Sequence, residues 1–382
     1  MSQFPKKLLS LLDKRKAENN FRTLTLPAKS LIDFSSNDYL GFAKNAELKT
    51  LKDSIIKQYQ IQQQGSTGSR LITGNSQIHI DCEEQIATFH NEEKALLFNS
   101  GYDANVGVLS SVLQRGDVVL YDELCHASII DGIRLSFATA YKFKHNDVSH
   151  LKELLDKNKT AENIYVVTES VFSMDGDCAL LKEISTICKA QNAYLITDEA
   201  HAIGIYGEQG RGLCNELGIE QDCFARIYTF GKAMGVHGAA VVGSNDLYDY
   251  LVNFSRPLIY TTALPASSVA LIMASYSLLQ STNQIKTVQE NISLFNELTF
   301  KLKNKISSTS AIHCFLIAGN ENAINASTKL KGKGFDVRAI KNPTVKIGTE
   351  RLRICLHATN TNQELQQLSE ALYKIVEKEL FA

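Results

Sequence analysis

Tyr228-Thr-Phe-Gly-Lys-Ala-Met-Gly-Val-His-Gly238 sets a lysine, Lys232, in a tight turn between two apolar runs. Residues 226–230 read as the end of one strand and 238–243 as the start of another. Gly231 and Gly235 let the backbone turn sharply and let a bulky group approach closely. A lysine held in so dry a turn sheds its proton more readily than a solvated one, and can then act as an amine nucleophile. The plainer alternative is a surface lysine in a hairpin.

Upstream, Ala193-Tyr-Leu-Ile-Thr-Asp198 is a short apolar run ending in an acid, followed by Glu199-Ala-His201. A buried strand that stops at Asp and His sets both at a carboxyl-terminal sheet edge, where ligands bind in open α/β sheets. An acid, a histidine and a lysine on successive strand ends suit pyridoxal 5'-phosphate (PLP). The lysine tethers the cofactor, and the acid keeps the pyridine nitrogen protonated so that the ring accepts electrons.

The runs Ala95-Leu-Leu-Phe98, Val118-Val-Leu-Tyr121, Ile164-Tyr-Val-Val-Thr168 and Tyr194-Leu-Ile-Thr197 are separated by helix-length segments. Short continuous apolar runs fit strands covered on both faces, and the alternation predicts a mostly parallel central sheet. A dinucleotide fold shares that rhythm, but no Gly-x-Gly-x-x-Gly follows the first strand. Gly65-Ser-Thr-Gly-Ser-Arg-Leu-Ile-Thr-Gly74 lacks the Gly-Lys-Ser/Thr ending of a nucleotide P-loop. Residues 79–91 suit a helix, and another is expected from about Ala104, its amino terminus turned to phosphate. Residues 6–20 read as an amphipathic helix through Leu8, Leu9, Leu11 and Leu12. Near the carboxyl terminus, Leu352, Ile354 and Leu356 alternate with Arg351, Arg353 and Cys355 on a strand. Thr361-Asn-Gln-Glu364 is a capping box that opens the last helix.

Thr197-Asp-Glu-Ala-His201 together with Thr229-Phe-Gly-Lys232 resembles the α-oxoamine synthase family of PLP-dependent acyltransferases, and the similarity runs from about Leu12 onward. The resemblance implies an α/β chain of PLP-dependent transferase fold type I, aspartate aminotransferase-like, with a smaller carboxyl-terminal α/β domain. It divides the chain into an amino-terminal arm (1–45), a large PLP-binding domain (46–265) and a carboxyl-terminal domain with its linking helix (266–382). The family match makes Lys232, His126, Asp198 and His201 catalytic. It gives the cofactor phosphate to Gly101, Tyr102 and Thr229, with Thr262 of the partner subunit in a homodimer. It stacks His126 on the ring and adds Ser173 as a cofactor contact. Arg22, Asn37, His126, Thr344 and Arg353 become substrate residues. Read without it, Asn37 is a turn residue, His126 a loop or core histidine, Arg22 an exposed basic residue and Arg353 an edge-strand charge.

The reaction implied is a decarboxylative condensation of an amino acid with an acyl thioester carried by CoA or a carrier protein. Two stretches, His145-Asn-Asp-Val-Ser-His-Leu151 and 339–353, resemble the branch that joins L-alanine to a pimeloyl thioester in biotin biosynthesis. Lys341 stands where arginine is often seen there, and His237 replaces a small residue. Glycine C-acetylation is the nearest alternative, and a catalytically silent partner subunit is an alternative of another class.

The 382 residues carry a net charge of −1, which gives no electrostatic case for nucleic acid or an anionic membrane. The amino terminus lacks the apolar core of a signal peptide and no apolar run approaches a spanning helix, so a soluble cytoplasmic protein is expected. Eight cysteines show neither zinc nor redox spacing, and no metal is expected.

Overall fold

The computed structural model describes residues 4–26 and 30–379; the outermost ends of the expected arm and carboxyl-terminal domain lie outside them, as do residues 27–29. Two compact units form, one from residues 37–173 and 178–287, the other from 1–36, 174–177 and 288–382.

The larger unit is built on a sheet of seven strands: β1 Lys94–Phe98, β2 Val118–Asp122, β3 Thr139–Phe143, β4 Ile164–Glu169, β5 Tyr194–Asp198, β6 Cys223–Thr229 and β7 Ala239–Gly243. Their spatial order is β1-β7-β6-β5-β4-β2-β3. Only β7 runs against its neighbours, pairing antiparallel with β1 and β6. The apolar runs seen in the sequence become strands because both of their faces are covered, and β4 is buried along its whole length. Leu96, Val119, Val167, Ile196, Ile227 and Val241 share one core with Val108 and Leu109 of the helix Gly101–Val112. That helix begins three residues earlier than expected, because Ser100 caps it by accepting the Asp103 N–H (3.1 Å).

The helix Ala266–Ser281, placed by sequence with the carboxyl-terminal domain, falls in the larger unit. Val269, Ala270, Ile272, Ala274, Leu278 and Leu279 are buried, and the helix packs against the helices Ala46–Gln58 and Gln77–Phe89. The arm likewise divides differently: residues 1–36 group with the smaller unit, and 37–45 with the larger.

In the smaller unit, β8 Ile312–Leu316, β9 Arg338–Ile340 and β10 Arg351–Cys355 form an antiparallel sheet with β10 in the middle. Residues Ile32–Asp33 pair in parallel with Phe335–Asp336. The helix Asn362–Glu379 is closed by the expected capping box: the Thr361 N–H donates to Glu364 (2.8 Å) and the Glu364 N–H to Thr361 Oγ1 (3.2 Å). Leu365, Leu368, Leu372, Ile375 and Val376 are its buried side. The helix Lys6–Ala17 also forms, but Leu8, Leu9, Leu11 and Leu12 are exposed.

Candidate active site

The ends of β4, β5 and β6, the start of the helix Gly101–Val112 and the Lys232 turn line a cavity of about 250 Å³ in the larger unit. Parallel strands end together, so Glu169 and Asp198 are register partners at neighbouring tips. The Lys232 turn is held by Phe230 N–H to Gly238 O (2.9 Å), Val236 N–H to Phe230 O (2.9 Å) and Gly235 N–H to Lys232 O (2.9 Å). Gly235 is in the left-handed region (φ +66°), and a Cβ there would lie 2.4 Å from the Ala43 nitrogen.

At one end of the cavity the first turn of the helix offers unpaired N–H groups and a positive dipole end. Beside it Thr229 Oγ1 is buried without a hydrogen-bond partner. A Cβ on Gly101 would lie 2.1 Å from Thr229 Cγ2, so only glycine leaves this corner open. An anion with several acceptor oxygens satisfies both the helix amides and the Thr229 hydroxyl. Tyr102 is half exposed, its hydroxyl donating to Asp131 (2.5 Å).

The floor of the cavity is a web of hydrogen bonds. Asp198 Oδ1 accepts the Ala200 N–H (2.9 Å), and Oδ2 accepts from Asn105 Nδ2 (2.8 Å). His126 caps its helix, Ala127–Arg134, and its main-chain N–H donates to Glu169 Oε1 (2.6 Å). The Tyr39 hydroxyl bridges Asn37 Oδ1 (3.2 Å) and His201 Nδ1 (2.7 Å). Burial, with the Asp198 charge adding to it, holds the Glu169 carboxyl above the usual carboxylate range.

Eight residues expected from sequence therefore meet here: Asn37, Gly101, Tyr102, His126, Asp198, His201, Thr229 and Lys232. The described lining does not include Ser173 or Thr262. Thr262 is exposed, and its carbonyl accepts from Asn99 (2.9 Å). Sequence reasoning missed Tyr39, Asn105, Ser128 and Glu169, and it named His237 only as a departure. Glu169 carried a signal, since it ends its strand as Asp198 ends the next. Asn105 had a weaker one, four residues beyond Gly101 on the same helix.

The remaining expected residues belong to the smaller unit. Arg22 Nη2 donates to Thr344 Oγ1 (3.3 Å), and Lys341 Nζ donates to the Asn19 carbonyl (2.7 Å). Arg353 lies on the central strand β10, buried, and donates to Cys355 Sγ (2.9 Å), so it is no edge-strand charge.

Residues 29–372 match the family Aminotransferase class I and II. The chain belongs to this family. It is 41% identical over 374 residues to the 8-amino-7-oxononanoate synthase of Emericella nidulans, covering 92% of this chain and 90% of that one. Among solved structures, 8-amino-7-oxononanoate synthase from Francisella tularensis superposes with a TM-score of 0.79 at 31% identity, covering 92% of this chain and all of the other. A serine palmitoyltransferase variant from S. paucimobilis, solved with a bound PLP–myriocin aldimine, gives 0.89 at 25%, covering 99% and 98%. The fold is thus PLP-dependent transferase fold type I, and the chain is a PLP-dependent acyltransferase of the α-oxoamine synthase group. PLP is its cofactor. The open corner at Gly101, the unsatisfied Thr229 hydroxyl and the buried Asp198 carboxylate fit that group.

Proposed function

We propose that this acyltransferase joins L-alanine to a pimeloyl thioester, giving 8-amino-7-oxononanoate for biotin biosynthesis. Alanine Cα bonds to the thioester carbonyl carbon, the thiol leaves, and the alanine carboxylate departs as carbon dioxide. Bound in the cavity, PLP supplies an electron sink for the alanine Cα. Gly101, Tyr102 and Thr229 would hold its phosphate, and Asp198 would pair with its ring nitrogen. Lys232 Nζ tethers it and moves the Cα proton. His126 would cover the ring face, with His201 and Asn37 beside it, and Arg353 would anchor the alanine carboxylate with its guanidinium fork. Ser173 is kept as a cofactor contact, and Thr262 as a phosphate contact to the other subunit of a homodimer. Exposed Leu8, Leu9, Leu11 and Leu12 along the helix Lys6–Ala17 support such a partner. The large and carboxyl-terminal domains are proposed to correspond in substance to the two units.

The observation that carries the choice of acyl group is the Arg22–Thr344 contact, made across 322 residues of sequence, with Lys341 nearby. Partial burial and the Arg22 charge hold the Lys341 ammonium below its usual value. Two cations pressed together in this way favour an anion between them, and pimeloyl differs from simple acyl groups by its distal carboxylate. A charge-assisted hydrogen bond contributes ~1.5–3 kcal/mol, about 10- to 100-fold in selectivity. With L-alanine, pimeloyl-CoA should therefore exceed heptanoyl-CoA in kcat/KM by roughly that factor, and Arg22→Ala should narrow the gap by losing the diacid alone. Equal use of the two by the native enzyme defeats the proposal. Faster reaction of glycine with acetyl-CoA points instead to glycine C-acetylation, and a colourless protein that binds no PLP points to a silent subunit.

A further inference from the structure

Asp198 and His126 are tied together by two buried side chains that have no part in the chemistry above. Asn105 Nδ2 donates to Asp198 Oδ2 (2.8 Å) and to Ser128 Oγ (3.0 Å), which uses both of its hydrogens. Turning the amide over would set its carbonyl oxygen against the Asp198 carboxylate, so the direction of this link follows from Asp198. Ser128 Oγ, already accepting, keeps its own hydrogen, and His126 Nδ1 lies 2.8 Å away. The Ser128 main-chain N–H reaches the same nitrogen (3.2 Å). Two donors converging on one ring nitrogen require it to carry a lone pair and no proton. Asn105 and Ser128 are 2% and 0% exposed, so water does not take their places.

We propose that Asn105 and Ser128 are positioning residues that hold His126 as a neutral imidazole with its only proton on Nε2. The negative charge of Asp198 is then left to the cofactor's ring nitrogen, with no second cation beside it. This rests on the roles given above to His126 and Asp198, and on nothing about the acyl group. The titratable groups facing His126 are Asp198 on β5, Glu169 on β4, Lys232 in its turn and Asp131 on the histidine's own helix. Partial burial presses the imidazole toward neutrality, Asp198 opposes this and Lys232 adds to it; the balance lies below the ordinary histidine value.

The test is nitrogen-15 NMR of histidine-labelled, PLP-loaded protein, with the His126 signals assigned by their loss in His126→Gln. In the native protein His126 should show a protonated Nε2 and an unprotonated, hydrogen-bonded Nδ1 across the window in which an ordinary histidine titrates. Ser128→Ala removes one of the two donors to Nδ1, so the neutral ring loses support. Its signals should then average toward mixed tautomers and begin to titrate in that window, while Ser128→Thr, which keeps the hydroxyl, should restore the native pattern. A native His126 with its proton on Nδ1, or a Ser128→Ala spectrum identical to the native one, overturns the proposal. The native spectrum decides even if neither variant folds, and an enzyme that ignores the pimeloyl carboxylate would still give it.

Discussion

Asp198, His201 and Thr229 are each less than a tenth exposed and lie at or just beyond strand ends of the central sheet, whereas Arg22 stands in water and Lys341 is half buried. Around Lys232 the side chains are joined to one another by short hydrogen bonds, amide to carboxylate and hydroxyl to imidazole. Around Arg22, among the described residues, single hydrogen bonds join this segment to the loop at Thr344 and Lys341: Arg22 to Thr344 at 3.3 Å, and Lys341 to the Asn19 carbonyl. Buried groups of the first kind are costly to leave unmade, and each is hard to replace. Exposed cations of the second kind contribute little until a ligand excludes water from them. The two regions therefore suit the different tasks proposed for them, the chemistry in one and the choice of acyl group in the other.

The largest expected effect is at the buried pole. Lys232→Ala should cut turnover by ~10²–10⁴-fold or more, the range of a lost proton-transfer group, while the protein still takes up PLP without a covalent bond. Turnover close to the native rate would mean that the cavity is not where the chemistry happens. Borohydride should fix the cofactor to the native protein and fail to do so in the variant, which separates tethering from binding.

Gly101→Ala probes the same region through space alone. The new methyl meets Thr229 Cγ2, and overpacking of this kind costs ~1–3 kcal/mol, about 5- to 150-fold in PLP affinity. Equilibrium titration of the apoprotein with PLP measures it. Unchanged affinity would show that the corner is not the phosphate seat, and it would make the contrast with the Arg22 corner much weaker.

The smallest effect sharpens the comparison from the exposed side. Raising ionic strength from about 0.1 to about 1 M shortens the screening length from ~10 to ~3 Å. The preference for pimeloyl-CoA over heptanoyl-CoA should shrink several-fold, with the heptanoyl rate nearly constant. A preference that ignores salt would place the carboxylate in a dry site, away from Arg22 and Lys341.

Much of this was legible in the chain. The doubly buried strands could be read because covering both faces demands unbroken Val, Ile and Leu, and their tips could be read because Asp198 and Lys232 interrupt that pattern. The helix Ala266–Ser281 shows the limit. The sequence shows a long helix after Pro265, but only its packing against the helices Ala46–Gln58 and Gln77–Phe89 says in which unit it lies. The leucines of the helix Lys6–Ala17 have the spacing of a buried face, yet those four side chains are exposed among the described residues.

Local sequence thus determined most of the elements, the capping box at Thr361 and the residues proposed to react, because propensity, periodicity and motif act over a few residues. The Asn105–Ser128 link and the pairing of Glu169 with Asp198 came only from tertiary structure. Each depends on donors and acceptors 23 to 93 residues apart, or on the register of neighbouring strands. Hydrogen-bond geometry between such distant groups is set by how the strands and helices pack, and no stretch of sequence encodes an angle to a residue it has not yet met.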